Sequence, residues 1–492
     1  MSWPDSLRGD GGQWVHLIAV CGTGMGALAC MLKDAGFRVT GSDQNVYPPM
    51  SEFLAQNGIR VMAGFSADHL AGLPDLVVVG NAVTRENPEA QRTFEMDLPY
   101  CSMPEAVNRI IADGKQRLVV TGTHGKTTTS ALLAWVLHRA GADPSFLIGG
   151  LVRQFNANYR VGSGPAMVIE GDEYDTAFFD KRPKFHHYDP RMAILTSIEL
   201  DHADIFRDLD QIAGEFRKLV AHIDPAGALF AWDGDPLITD VVRSAACPVY
   251  RYGTAPGSDW RLGEVTVEPP WTRFVVHHPE KGALNFRTRL MGEHNLHNAL
   301  AVIGMVDALG IEMAAIAEAI ETFEGVRRRQ EIRGTADGVT VMDDFAHHPT
   351  AVRETIRAVR PHVPDGRLIA VFEPRSNTSM RRTFQSVYPD AFAGADLVCI
   401  RFPSMIRKVP EDQRIDTAQL LSDLKARHHD AHLFPDTDAV IDFLTDDARS
   451  GDTVLVMSNG GFDNIHTRLL ARLTKRERDR HPPADSPSDK GR

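Results

Sequence analysis

The stretch "LVVTGTHGKTTT" (118–129) sets an apolar run directly ahead of Gly122, Thr123, His124, Gly125, Lys126, Thr127 and Thr128. Strand, glycine loop, lysine and hydroxyl in that order are what a phosphate cradle requires. Backbone N–H groups at a helix N-terminus hold phosphate oxygens, Lys126 adds a point charge, and the Thr127 hydroxyl is placed to ligate Mg²⁺. The usual spacing is G-x-x-x-x-G-K-[ST], whereas here only Thr123 and His124 separate the glycines. A threonine-capped helix bearing an exposed lysine is the plain alternative.

Other segments carry chemistry of the same kind. In "AVCGTGMGALA", Gly22, Gly24 and Gly26 lie between a predicted strand and helix, and Asp43 ends the next strand. That pattern suits a pyrophosphate on a helix N-terminus and a ribose on the carboxylate, although the third glycine comes one residue early. "VIEGDEYDTAFFD" presents Glu170, Asp172, Glu173 and Asp175 after a strand, and "ILTSIELDHADIF" presents Asp201, His202 and Asp204 after another. Carboxylates at neighbouring strand ends beside a phosphate loop are where nucleotide-bound Mg²⁺ finds protein ligands. "GEHNLHNALAV" places His294, Asn295 and Asn298 at a helix start, where amides either cap the helix or read an adenine edge. Arg327, Arg328 and Arg329 form a run that is either a solvated face or a clamp on transferring phosphoryl charge. "VMDDFAHHPTA" carries Asp343, Asp344, His347 and His348, and "VFEPRSNTSMRR" carries Arg375, Ser376, Asn377 and Thr378 as a polar strand end. The adjacent histidines have no third ligand at zinc spacing, so zinc is not expected there.

The elements that must position these residues alternate between buried strands and helices. With 492 residues the chain is too long for one core. The fold class expected is α/β in three units: residues 13–112 Rossmann-like, 117–333 a P-loop-type unit with a mostly parallel sheet, and 334–473 again Rossmann-like. Breaks are expected at "DGKQ" (113–116) and near "RGTADG" (333–338), and 474–492 reads as a disordered tail. A net charge of −12 excludes a general nucleic-acid binder. Five scattered cysteines fit a reducing cytoplasm, and no apolar run is long enough to span a membrane. An NAD-dependent dehydrogenase would use the first glycine turn alone and leave the lysine loop idle. A GTPase-like switch would need a guanine-reading N-K-x-D, which is absent.

Taken together, these stretches resemble the Mur ligase family, whose phosphate loop is the short G-T-x-G-K-[ST] form, over about residues 14–470. "GTHGKTTT", "HNLHN", "RRR" and "DDFAHHPT" are most similar to the branch acting on UDP-N-acetylmuramate that carries no peptide yet. "SDQNVYPPM", "GNAVTRENPEA", "EGDEYDTAFFD", "LDHADIF", "FEPRSNT" and "MSNGGF" look like the members that rejoin a recycled tripeptide, L-alanyl-γ-D-glutamyl-meso-diaminopimelate. The alternative is addition of L-alanine, whose enzymes carry P-H-R-Y-T where this chain has Pro374–Thr378. The resemblance implies a cytoplasmic ligase using ATP and Mg²⁺, with the UDP-sugar and tripeptide as small-molecule partners. Thr127, Glu173 and His202 would hold the metal, and Lys126 and Arg329 would meet the γ-phosphate. The loop residues Gly122–Thr128 with Asn295, Asn298 and Asp344 would hold the nucleotide. Gly22, Gly24 and Asp43 would face the UDP, and His348, Arg375, Ser376 and Asn377 would line the acceptor pocket. Two departures stand out: Ser197 replaces a common asparagine, and Arg217 and Lys218 are out of register with the lysine that several members carbamylate.

Overall fold

Apolar strands such as "LVVT" need covering on both faces, and the chain answers with three sheets flanked by helices. The computed structural model describes residues 7, 12–47, 50–201 and 205–480. The first sheet holds β1 (Trp14–Ile18), β2 (Arg38–Asp43), β3 (Arg60–Ala63), β4 (Leu76–Val79) and β5 (Tyr100–Ser102). All pairings are parallel, in the order β3-β2-β1-β4-β5. Connections leave β1 toward opposite edges, so the Gly22–Gly26 turn lies at the switch point where such sheets bind ligands.

The second sheet is built on β6 (Gln116–Thr121), β7 (Ser145–Val152), β8 (Ala157–Arg160) and β9 (Ala166–Gly171). A short hairpin, β10 (Asp175–Ala177) and β11 (Asp180–Pro183), stands apart from it. The sheet continues with β12 (Met192–Leu195), β13 (Ala228–Trp232), β14 (Val249–Gly253), β15 (Trp260–Glu268), β16 (Trp271–His278) and β17 (Gly282–Thr288). Its order is β17-β16-β15-β14-β13-β12-β6-β9-β7-β8, parallel except at the β15-β16-β17 meander and the β7–β8 pair. β6 runs between β9 and β12, so the loops leaving these three strands emerge side by side. That adjacency brings the phosphate loop, the acidic loop and "IELD" together.

The β10–β11 hairpin reaches back to the first unit. Phe178 and Phe179 pack with Ile18, Val77 and Val79, and Asn81 Nδ2 donates to the Asp175 carbonyl at 2.8 Å. The acidic loop is thereby fastened to the first unit just past Glu173.

The third sheet contains β18 (Glu331–Ala336), β19 (Val339–Asp344), β20 (Leu368–Phe372), β21 (Leu397–Arg401), β22 (Ala431–Phe434) and β23 (Thr453–Met457), ordered β18-β19-β23-β20-β21-β22. Two expectations need correction. "RGTADG" is no break: it is the β18–β19 hairpin, turning on Asp337 (φ 49°) and Gly338 (φ 70°). Both turn residues are left-handed, as the tightest hairpins require, and Asp-Gly is their usual signature. The tail does not begin at 474 either, because helix Ile465–Arg480 carries Leu469 and Leu473 into the core. Asp337 accepts from Arg476 Nε at 2.5 Å and Arg480 Nη1 at 3.0 Å, anchoring that last turn. Residues 481–492 lie outside the described residues.

Candidate active site

Each glycine of the phosphate loop has a steric reason. Gly122 has φ 127°, and a Cβ there would meet Thr196 Oγ1 at 2.2 Å. Gly125 is left-handed at φ 81°, and its Cβ would meet Asn298 Oδ1 at 2.8 Å. The loop is stapled to the strand end opposite: Thr123 N donates to Ser197 O and His124 N to Ser197 Oγ, both at 2.9 Å. Ser197, the departure from the family's asparagine, therefore bonds the loop twice.

Lys126 opens helix Lys126–Arg139 and is buried. Its Nζ donates to Gly122 O at 2.6 Å and to Glu173 Oε2 at 2.8 Å. Burial alone would pull its pKa down, but the carboxylates of Glu173, Asp172 and Glu170 outweigh that and hold it above the ordinary lysine value. Thr127 Oγ1 donates to Glu170 Oε1 at 2.8 Å. Burial, then the Asp172 charge, raises Glu170 above the usual carboxylate range. Glu170, one of the four acids of "VIEGDEYDTAFFD", is outside the metal set that the resemblance implies, yet it is the one bonded to Thr127. Its position one residue before the end of β9, beside β6, was the available signal. A buried hydroxyl with two buried or half-buried carboxylates beside a phosphate loop is an all-oxygen donor set that fits Mg²⁺. His202, the third expected ligand, lies outside the described residues. Lys218 pairs with Glu215 at 2.7 Å and is 64% exposed, and Arg217 pairs with Asp240, so both face away on the surface of their helix.

Arg329 crosses from the third-unit junction, its Nη2 at 3.3 Å from Thr127 Oγ1 and its guanidinium 4.8 Å over the Phe345 ring. Arg328, with its guanidinium 5.2 Å from the centre of the same ring, donates to the carbonyls of Ser458 and Gly460, both at 2.6 Å. Arg328 and Arg329 are thus not a solvated face, whereas Arg327 is exposed and donates to Asn156 Oδ1 at 3.2 Å. Asp344 accepts from Gln330 N and Ala346 N, both at 2.8 Å, and burial raises its pKa. It fixes the backbone next to Arg329. Asn295 and Asn298 do not cap their helix, whose N-cap is Gly292 without a side-chain bond. Asn295 Nδ2 instead reaches Gln330 Oε1 at 3.1 Å, and Asn298 abuts Gly125.

In the first unit, Gly22 is the N-cap of helix Thr23–Asp34. A Cβ on Gly24 would stand 3.1 Å from Met103 Sδ. Asp43 accepts from Cys21 N and Asn45 N, each at 2.9 Å, so it braces the glycine turn from the end of β2.

The third unit supplies two groups. His348 caps helix Pro349–Val359 and meets Glu199, which also binds Thr350 Oγ1 at 2.7 Å and His124 at 3.3 Å. Thr378 Oγ1 donates to Asp201 at 2.7 Å, a second contact across the seam. Beyond β20, Arg375 N donates to Ser379 Oγ, and Ser376 Oγ joins the same serine, both at 2.9 Å. Asn377 is exposed. Among the described residues no carboxylate pairs with Arg375, whose guanidinium lies across Gly460: a Cβ there would stand 1.6 Å from Nη1. Sequence reading missed the support beneath this pocket, where buried Glu373 binds Arg401 and Ser458 Oγ at 2.5 and 2.6 Å.

Three family profiles cover most of the chain: the Mur ligase family, catalytic domain, at residues 14–115, the Mur ligase middle domain at 120–306, and the Mur ligase, glutamate ligase domain at 328–460. The chain is 39% identical to the UDP-N-acetylmuramate–L-alanyl-γ-D-glutamyl-meso-2,6-diaminoheptandioate ligase of Escherichia coli (strain K12), over 94% of this chain and 98% of that one. It is 35% identical to the UDP-N-acetylmuramate–L-alanine ligase of Cyanothece sp. (strain PCC 7425), over 94% and 95% of the two chains. Among solved structures, a murein peptide ligase from Psychrobacter arcticus matches with TM-score 0.70 at 33% identity, over 94% of this chain and 99% of that one.

Proposed function

The chain belongs to the Mur ligase family, and from that premise we propose that it is an ATP-dependent ligase joining L-alanyl-γ-D-glutamyl-meso-diaminopimelate to UDP-N-acetylmuramate. The reaction forms one amide bond and serves recycling of peptidoglycan fragments. The observation that carries the choice of acceptor is Arg375, a cation without a carboxylate partner among the described residues, just beyond β20 in the third unit. It suits a peptide bearing several carboxylates, which a guanidinium binds bidentately.

A carboxylate is a poor electrophile toward an amine. The lactyl carboxylate of the sugar takes the γ-phosphoryl group of ATP, giving an acyl phosphate and ADP. The free α-amine of the tripeptide then attacks the acyl carbon, and phosphate leaves as the amide forms. Lys126 now pairs with Glu173, and an incoming phosphate competes for the same ammonium. Lys126 and Arg329 neutralise charge on the transferring group from two sides. Thr127, Glu170 and Glu173, with His202 by family resemblance, would hold Mg²⁺, which supplies further charge neutralisation when bound. We assign Asn295 and Asn298 to the adenine side. Asp344 holds the backbone beside Arg329 at the nucleotide. The Gly22–Gly24 turn with Asp43 takes the UDP, and His348, Ser376 and Asn377 flank the acceptor. No helix among the described residues is long and apolar enough to cross a membrane, and we place the enzyme in the cytoplasm, where ATP and UDP-sugars are available.

Phosphate release with ATP, Mg²⁺ and UDP-N-acetylmuramate tests the reading. Turnover with the tripeptide and little with L-alanine supports it, and turnover with L-alanine alone overturns it.

A further inference from the structure

The seam between the phosphate loop and the third unit gathers three donors that sequence spacing could not connect. His124 comes from the loop, Glu199 from the segment after β12, and His348 from the start of helix Pro349–Val359. Their ligand atoms all lie within 4.8 Å of one another. Glu199 Oε2 is the shared point, 3.3 Å from His124 Nε2 and 3.6 Å from His348 Nδ1. His347, the other member of the adjacent pair, turns away to the Phe345 carbonyl at 2.9 Å.

The protonation of His348 is fixed by its neighbours. Its Nε2 lies 3.3 Å from the Leu200 carbonyl, which only accepts, so that nitrogen carries the hydrogen. Burial, then the nearby His124, keeps the ring neutral with a pKa near 4. The Nδ1 lone pair therefore faces the carboxylate, with only a long 3.3 Å bond from Thr350 N to occupy it. Burial works against the charge on Glu199, but the hydrogen bond and charge of His124, with the hydrogen bond from Thr350, outweigh it and hold the carboxyl down at about 2. A neutral imidazole lone pair pointing at an ionised carboxylate is a contact that a cation between them would convert to attraction.

We propose that His124, Glu199 and His348 form a binding site for a zinc-class divalent ion at the seam between the phosphate loop and the third unit. Two imidazoles and one carboxylate are the donor set of open zinc sites, in which a fourth position stays with water. Donors about 2.1 Å from a tetrahedral zinc stand roughly 3.4 Å apart, so the two distances to Glu199 already suit the ion and the two imidazole nitrogens, within 4.8 Å of each other, have to approach. The side chains of His124 and Glu199 are 24% and 36% exposed, which leaves them room to do so. This set differs from the all-oxygen set around Thr127, and it does not depend on which acceptor the ligase uses. An ion held there ties the loop to the third unit directly.

The test is zinc binding to the full chain by equilibrium dialysis in excess Mg²⁺, with Co²⁺ absorption reporting a four-coordinate site. The expected result is one Zn²⁺ per chain, weakened about tenfold or more in His348→Asn and in Glu199→Gln. Asparagine still caps the helix, and glutamine keeps the Thr350 bond, so both variants retain the fold contacts. Glu173→Gln leaves the zinc affinity and the cobalt spectrum unchanged. Absence of Zn²⁺ binding, binding indifferent to both seam substitutions, or binding lost in Glu173→Gln overturns the proposal.

Discussion

The phosphate loop and the acceptor pocket handle charge in opposite ways. In the loop the lysine and the hydroxyl already have partners: Lys126 is bound by Glu173 and the Gly122 carbonyl, and Thr127 by Glu170. In the pocket the supporting pair, Arg401 with Glu373, is satisfied below, while Arg375 lies across Gly460 with no carboxylate among the described residues. A site that meets the same nucleotide in every turnover can store its charges against each other until phosphate exchanges in. A site that must choose an acceptor gains by keeping one cation free, because an internal partner would weaken the discrimination.

The largest effect should come from breaking the first region. Lys126→Ala should lower phosphate release about a thousandfold or more, since it removes charge that acts on the transferring group. It should also cost about 1–3 kcal/mol of stability, because buried Glu173 loses its bond to the ammonium. A thermal-unfolding scan beside the assay separates the two effects, and full activity in this variant would remove the loop from the mechanism. Breaking the second region should be smaller and selective. Arg375→Ala should raise KM for the tripeptide about 10- to 100-fold, the value of a charged hydrogen bond, while KM for ATP stays as it was. Equal rises in both constants would mean that the two regions are not separable.

A pH series sharpens the comparison at the seam. Burial holds His294 and His348 near pKa 4, below the ordinary 6.5, so the unfolded chain takes up protons first as pH falls. Stability from these groups should be complete above about pH 6.5 and decline toward pH 4, read as a falling urea midpoint. His294 Nδ1 is buried with no hydrogen-bond partner among the described residues, so His294→Gln should flatten that decline; an unchanged slope would contradict the assignment. The smallest effect belongs outside both regions. Arg217→Ala breaks an exposed pair with Asp240 and should leave both the urea midpoint and turnover unchanged.

The α/β class and the loop's chemistry were legible because local pattern determines both. An apolar strand followed by Gly-Thr-His-Gly-Lys-Thr leaves few conformations that satisfy the two glycines. Other features depend on contacts across long stretches of chain. Asp344 reads as a nucleotide ligand, and the fold adds a bracing role, since its two oxygens accept from the Gln330 and Ala346 N–H groups. The β18–β19 hairpin looks like a break in the sequence, since "ADG" reads equally as a linker until its neighbours pair. Asn295 offered a cap, but Gly292 at φ 88° begins the helix instead and leaves the amide for Gln330. The convergence of His124, Glu199 and His348 spans more than two hundred residues, and no motif spacing records it.

The most direct test offers both acceptors to the protein in one vessel with ATP, Mg²⁺ and UDP-N-acetylmuramate, and reads the product masses at early times. The account predicts the UDP-muramoyl tripeptide as the main product. A product carrying only L-alanine would contradict it, and would mean that Arg375 serves something other than choice of the acceptor.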